Sequence, residues 1–160
     1  MITISRFSDR YTQEVIDLAL HYQNNGTGPP VTIADQPDLL QIEDSYIKPG
    51  GGFWIATDDG RLVGTVGLMP HGNEIAILKK IFVYEAYQGA PHHLGQKLFA
   101  ALLAFAKESG VKTILPGTPY NTVRAHKFYE KAGIRQISEE ELPFSFSHPI
   151  KACDFFMLTL

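Results

Sequence analysis

The stretch QGAPHHLG, Gln88 to Gly95, follows a run of strand formers and precedes a long helical pattern, an arrangement that makes a ready anion site. Open backbone N–H groups and the positive end of the helix would converge there on one point, where a phosphate could be held. Pro91 fits the first helical position, where its missing N–H costs nothing, and the amides near His92, His93 and Leu94 are then left to point at the anion. Gly89 and Gly95 permit close backbone approach. The pattern is neither GxGxxG nor a Walker loop, since no Lys-Ser or Lys-Thr pair follows it. A second constellation, NTVRAHKFYEKAGI from Asn121 to Ile134, sets an amide and a phenol on one short helix. Ala125, Phe128, Tyr129 and Ala132 share a face, Asn121 or Thr122 can cap the start, and Gly133 sits where a left-handed stop belongs. On spacing alone, Tyr129 is either a core aromatic or a chemical group.

The elements that must position these residues are legible in order. Ile2 to Arg6 alternate as a first strand, and Val15, Ile16, Ala19 and Tyr22 mark a helix over Tyr11 to Tyr22. NNGTGPP, Asn24 to Pro30, cannot hold regular structure; Pro37 and Asp38 then open a second helical pattern through Leu39, Leu40, Ile42 and Tyr46, stopped by PGGG. FWIAT and LVGTVGLM flank Asp58, Asp59, Gly60 and Arg61 as a hairpin. A second turn at Pro70 to Asn73 leads into IAILKKIFV, giving a three-strand antiparallel meander. Leu94, Leu98, Leu102, Phe105 and Ala106 form the buried stripe of a long helix that ends at Gly110. KTILPGT reads as a buried strand, and two final strands are expected at Arg135 to Glu140 and Ala152 to Leu160. The order is βααβββαβαββ, without repeats or an interior linker, so one domain over residues 1–160 is expected.

Composition narrows the functional classes. Fourteen basic and seventeen acidic residues give a net charge of -3, which offers no electrostatic footprint for nucleic acid. No uncharged apolar run reaches the ~20 residues of a membrane span, and MITISRFSDRYTQEV lacks a signal-type apolar segment. A single cysteine, Cys153, excludes an internal disulfide and reads as part of a terminal buried strand; a reducing cytoplasm fits. No metal is expected, because the adjacent His92 and His93 point apart and His71 lies beyond a strand.

A meander, a phosphate-type loop opening a helix, a strand, and then NTVRAHKFYEKAGI together resemble the GNAT superfamily of N-acetyltransferases over nearly the whole chain. LKKIFV running into YQGAPHHLGQKL is similar to the family's acetyl-CoA signature, and the later run matches NxxAxxFYEKxGF except that Ile134 replaces the phenylalanine. The resemblance implies an α/β (α+β) fold: a mixed, mostly antiparallel sheet of about seven strands flanked by about four helices, with strands 4 and 5 splayed. It implies acetyl-CoA as cosubstrate and direct transfer to an amine, on a small molecule or a protein. Ile81, Phe82 and Val83 would offer their backbone to the pantetheine arm as a substitute strand. The loop holding Gln88, Gly89, His93, Leu94, Gly95 and Gln96 would bind the pyrophosphate through backbone amides, and Asn121 would hydrogen-bond the cofactor beyond the splay. Tyr129 would stand near the sulfur and protonate, or hydrogen-bond, the leaving thiolate; a phenol of pKa about 10 is protonated at neutral pH.

Two departures from the family accompany this resemblance. Gln88 and Gly95 are two residues too far apart for the usual Q/R-x-x-G-x-G/A loop, which implies an insertion with its register open; His92 and His93 are either imidazole donors to the phosphates or surface histidines. The glutamate that many members carry on the fourth strand aligns with Ile77, so the general base is unassigned, with Glu74, His71, Glu43 or a water as candidates. The acceptor would be bordered by Asn24 to Pro37 and Glu139 to Lys151. Asp35, Asp38, Glu43 and Asp44 either favour a cationic amine or form a solvated face, with Trp54, Phe144 and Phe146 as apolar walls. The competing readings are a CoA-binding sensor of the same fold without turnover and a nucleotide-binding module unrelated to CoA. Self-association through an exposed sheet edge, as a homodimer, is an open option.

Overall fold

The computed structural model describes residues 1–24, 32–116, 128–141 and 155–160. Strand β1 (Ile2–Arg6) passes through a 3-10 turn at Asp9–Tyr11 into helix α1 (Thr12–Gln23), which buries Val15, Ile16, Leu18 and Ala19. Strands β2 (Gly52–Asp58), β3 (Arg61–Gly72) and β4 (Ile75–Val83) then form the antiparallel meander. The first hairpin turns on Asp59 and Gly60, both at positive φ (50° and 86°), as the twist-matched two-residue turn demands. Strand β3 runs on to Gly72, so the second turn falls at Asn73 and Glu74 rather than at Pro70 to Asn73. Helix α2 (Leu94–Glu108) follows, then β5 (Thr113–Pro116), a helical turn at 128–131 stopped by Gly133 at φ 82°, β6 (Arg135–Ile137) and β7 (Phe155–Thr159).

The seven strands lie in the order β1-β2-β3-β4-β5-β7-β6, and β4 with β5 is the parallel pair in an otherwise antiparallel sheet. Strand alternation sends side chains to two cores. Trp54, Ala56, Val66, Leu68, Ala76 and Leu78 meet Leu94, Leu98 and Leu102 of α2, whereas Phe53 and Ile55 meet Val15, Leu18 and Ala19 of α1.

The expected second helix is replaced by shorter turns. Pro37–Leu40 is 3-10 and Glu43–Ile47 is a π turn closed by the Lys48 N–H on the Glu43 carbonyl (2.8 Å). Leu39, Ile42 and Tyr46 are buried as their spacing suggests, but Leu40 is 58% exposed. A Tyr46 hydroxyl donating to the Asp38 carboxylate (2.6 Å) ties the two turns together across the break. Among the described residues the sheet is flanked by two long helices and several shorter helical turns.

Candidate functional site

Among the described residues β5 pairs with only the first part of β4. The described pairing runs from Ile75 with Thr113 to Leu78 with Pro116; beyond it, Lys79–Val83 have only β3 at their side among the described residues. Backbone groups of a central strand that lack a partner strand are a template for a further extended chain, and Ile81, Phe82 and Val83 lie on this stretch. At the start of this open stretch β4 carries a bulge. Gly67 faces Lys79 and Thr65 faces Phe82, so Val66 is opposed by two residues, Lys80 and Ile81. Lys80 sits at φ 56°, a left-handed conformation costing a lysine roughly 1 kcal/mol. The Thr65 hydroxyl donates to its carbonyl (2.7 Å) and holds the bulge. Its geometric effect is to reset the alternation: Ile81 and Val83 pack with the α2-side core and Phe82 with the α1-side core.

The loop after β4 resolves its extra length into a closed turn. His93 N–H donates to the Gly89 carbonyl (2.7 Å), with Gly89 at φ 67° and His93 at φ 49°. A residue in that left-handed conformation cannot lie inside the helix, so α2 begins at Leu94 and not at Pro91. The amide of His93 is thereby used within the loop. The first backbone bond into the helix is Lys97 N–H to the His93 carbonyl (3.1 Å), which leaves the N–H groups of Leu94, Gly95 and Gln96 without an intrahelical acceptor. Leu94 is fully buried, while Gln96 is exposed. A Cβ on Gly95 would come within 3.3 Å of the Phe128 ring, so glycine lets the helix start lie close to the turn that carries Tyr129. Among the described residues these three amides and the strand edge have no partner, an arrangement that fits a ligand that is an extended chain ending in a phosphate anion.

Gln88 behaves differently from its neighbours. Its backbone N–H bonds to Glu85, and its side-chain Nε2 turns inward to donate to the Val83 carbonyl (2.6 Å) and the Tyr22 hydroxyl (3.3 Å). It is a strut between the end of β4 and α1. Gln88→Glu, which removes the donor and sets a carboxylate against a carbonyl, is expected to cost about 2 kcal/mol and lower Tm by about 4–8 °C, measured by calorimetry. His92 lies against the Tyr87 ring at 5.1 Å, and His93 is exposed.

Tyr129 is 4% exposed, its ring 4.8 Å from that of Phe156, in the same core as Val83 and Leu94; Phe128 contacts Phe99 of α2 at 6.0 Å. The end of β4, the start of α2 and Tyr129 thus meet on one face of the sheet. Asn121, Phe144 and Phe146 lie outside the described residues.

On the opposite face, the expected acceptor groups are largely committed elsewhere. Asp35 closes a capping box with Thr32, Asp44 pairs with Lys48 (2.8 Å), and Asp38 accepts from Tyr46. Trp54 is 5% exposed in the α2-side core against Phe105, so it is no wall of an acceptor groove. Glu74 occupies the turn at the far end of β4 from the open stretch, where its carbonyl accepts from Lys112 and Thr113; Ile77 is buried between Met69 and Leu115. Lys80, by contrast, enters this face. Its Nζ donates to Gln36 Oε1 (2.6 Å) and lies 4.0 Å from Asp38. Gln36, 6% exposed, is held by a reciprocal amide pair with Gln23. Burial pushes the Lys80 ammonium below the usual lysine range, against the attraction of Asp38. Sequence reasoning passed over Lys80; the signal was two lysines inside the otherwise apolar strand IAILKKIFV.

Comparison with known proteins agrees with this geometry. A Streptococcus agalactiae acetyltransferase structure superposes with a TM-score of 0.91, at 32% identity over 99% of this chain and 98% of that one. The N-acetylaspartate synthetase of Xenopus tropicalis is 31% identical over 127 residues, 76% of this chain and 45% of that protein. A Salmonella typhimurium acetyltransferase-fold structure described with its cofactor acetyl-CoA shares the fold at a TM-score of 0.72 and 14% identity, over 99% of this chain and 93% of that one. The chain spans less than half the length of the curated relative it matches here. Residues 14–134 match the model described as the acetyltransferase (GNAT) family, and with most of its length so matched the chain belongs to that family.

Proposed function

We propose that the protein transfers an acetyl group from acetyl-CoA directly to an amine acceptor, as one acetyltransferase domain over residues 1–160. The observation that carries this reading is the convergence, among the described residues, of a β4 edge without a strand partner, the three α2 amides without an intrahelical acceptor and Tyr129 on one side of the sheet. When bound, the cosubstrate supplies an acetyl group already activated as a thioester. The backbone of Ile81, Phe82 and Val83 extends the sheet to the pantetheine arm, and Leu94, Gly95 and Gln96 N–H groups hold the diphosphate. Asn121 bonds the arm farther along. Tyr129 gives its hydroxyl proton to the departing sulfur as the amine attacks the acetyl carbon; the N–C bond forms as the C–S bond breaks, and the proton shed by the amine passes to water, from which the tyrosinate is reprotonated. The amine arrives on the α1 face, opposite the cosubstrate. Among the described residues no helix is long and apolar enough to cross a membrane; the single cysteine suits a reducing compartment, and we place the protein in the cytoplasm.

The reading is tested by thermal shift. Acetyl-CoA or CoA at about 100 times its Kd should add about 2.7 kcal/mol of stability and raise Tm by about 5–10 °C. Stabilisation by ATP but not by acetyl-CoA or CoA would contradict it.

A further inference from the structure

We infer that Lys80, with Lys79 beside it, forms an anion subsite on the α1 face that binds a carboxylate of the amine acceptor, so that the acceptor is a small amine bearing a carboxylate. This deepens the acetyl-transfer reading above and rests on it. Before the bulge, alternation puts Ala76 and Leu78 in the α2-side core and sends Ile77 and Lys79 to the α1 face. After it, Ile81 and Val83 are again on the α2 side. Lys80 is the residue that absorbs the slip, and its Nζ reaches Gln36 and Asp38, which lie on the α1 side. Both lysines therefore stand on one face, immediately past Leu78 with Pro116, the last β4–β5 pair among the described residues.

Around the Lys80 ammonium the charges do not cancel. Asp38 is 4.0 Å from Lys80 Nζ, beyond hydrogen-bond reach, and one of its oxygens already accepts from Tyr46. Among the described residues Lys79 makes no ion pair. Counting Lys79, Lys80 and the one carboxylate that approaches the Lys80 ammonium, two cations against one anion leave a net positive charge at this spot, which suits a carboxylate monoanion; Asp35 and Asp44, also on this face, are held by Thr32 and Lys48. The hydrogen bonds do not cancel either. An ammonium has three donors, and among the described residues Lys80 uses one, on Gln36, while its side chain is only 14% exposed. A partly desolvated cation with unused donors, held by a glutamine that is itself fixed by Gln23, is a preorganised site for an oxygen anion. Retaining a lysine in a left-handed bulge where asparagine or glycine would be easier is consistent with a use for its side chain.

The test compares matched acceptors in a CoA-release assay: glycine with glycinamide, β-alanine with propylamine, and glutamate with the diamide of glutamic acid. Wild type should favour the carboxylate member of at least one pair by 10-fold or more in kcat/KM. Lys80→Met should raise KM for that acceptor by at least 10-fold with little change for its carboxylate-free partner, and Lys80→Arg should retain most of the preference. Carboxylate-free amines used as well or better by wild type, or a preference that survives in Lys80→Met, would overturn the inference alone. No CoA release with any amine would overturn the acetyl-transfer reading together with it.

Discussion

Tyr129→Phe should lower kcat by about 100-fold while leaving KM for acetyl-CoA within about twofold, measured by steady-state kinetics on any accepted amine. The size follows from losing a positioned proton donor to the sulfur, an effect usually worth 10²–10⁴ in rate. The variant is a clean probe because the ring stays. Its contacts with Phe156 at 4.8 Å and Phe128 at 6.1 Å involve carbon faces and edges that phenylalanine reproduces. Loss of one hydroxyl at a 4%-exposed site should cost about 1 kcal/mol, so Tm should fall by only about 2–4 °C. An unchanged kcat would make Tyr129 a core aromatic and nothing more.

Gln96→Glu should move stability and cosubstrate affinity in opposite directions. Gln96 is exposed in the first turn of α2, where its own N–H is one of three left open, so an isosteric carboxylate finds the positive end of the helix and stabilises the fold by about 0.3–1 kcal/mol. The same charge stands beside the place where the diphosphate is held. Like charges close together near a protein surface repel by on the order of 1–2 kcal/mol per pair after screening, so two phosphate charges raise KM for acetyl-CoA by about 30-fold or more. Added salt should shrink that ratio. A Tm that rises with an unchanged KM would separate the helix start from cosubstrate binding.

How much of this was legible in the sequence depended on whether a residue obeyed local periodicity. The meander, the long helix and the Asp59–Gly60 turn follow from alternation, a 3.6-residue stripe and a demand for positive φ, each decided within a few residues. The Pro37 to Tyr46 stretch shows the boundary. Its apolar spacing correctly named Leu39, Ile42 and Tyr46 as buried, but the backbone between them is set by the Asp38–Tyr46 hydrogen bond, which periodicity does not report. The helix start is similar: proline at Pro91 suggested one position, and the Gly89–His93 turn moved it to Leu94. Lys80 was hidden for a sharper reason. A bulge changes which face every later residue takes, and strict alternation would have sent this lysine into the apolar α2-side core. Asp35, Asp38 and Asp44 make contacts that spacing does not report: a capping box with Thr32, a hydrogen bond from Tyr46 in the next turn, and a pair with Lys48.

The central claim is that acetyl leaves a CoA thioester for an amine on this chain. It is tested most directly by incubating the purified protein with acetyl-CoA and a panel of amines and following release of the free CoA thiol. Amine-dependent release that saturates in both substrates and yields the N-acetylated amine by mass spectrometry is the predicted result. Tight acetyl-CoA binding with no release above the no-amine background, across carboxylate-bearing and carboxylate-free amines alike, would contradict the claim and leave a CoA-binding protein without turnover.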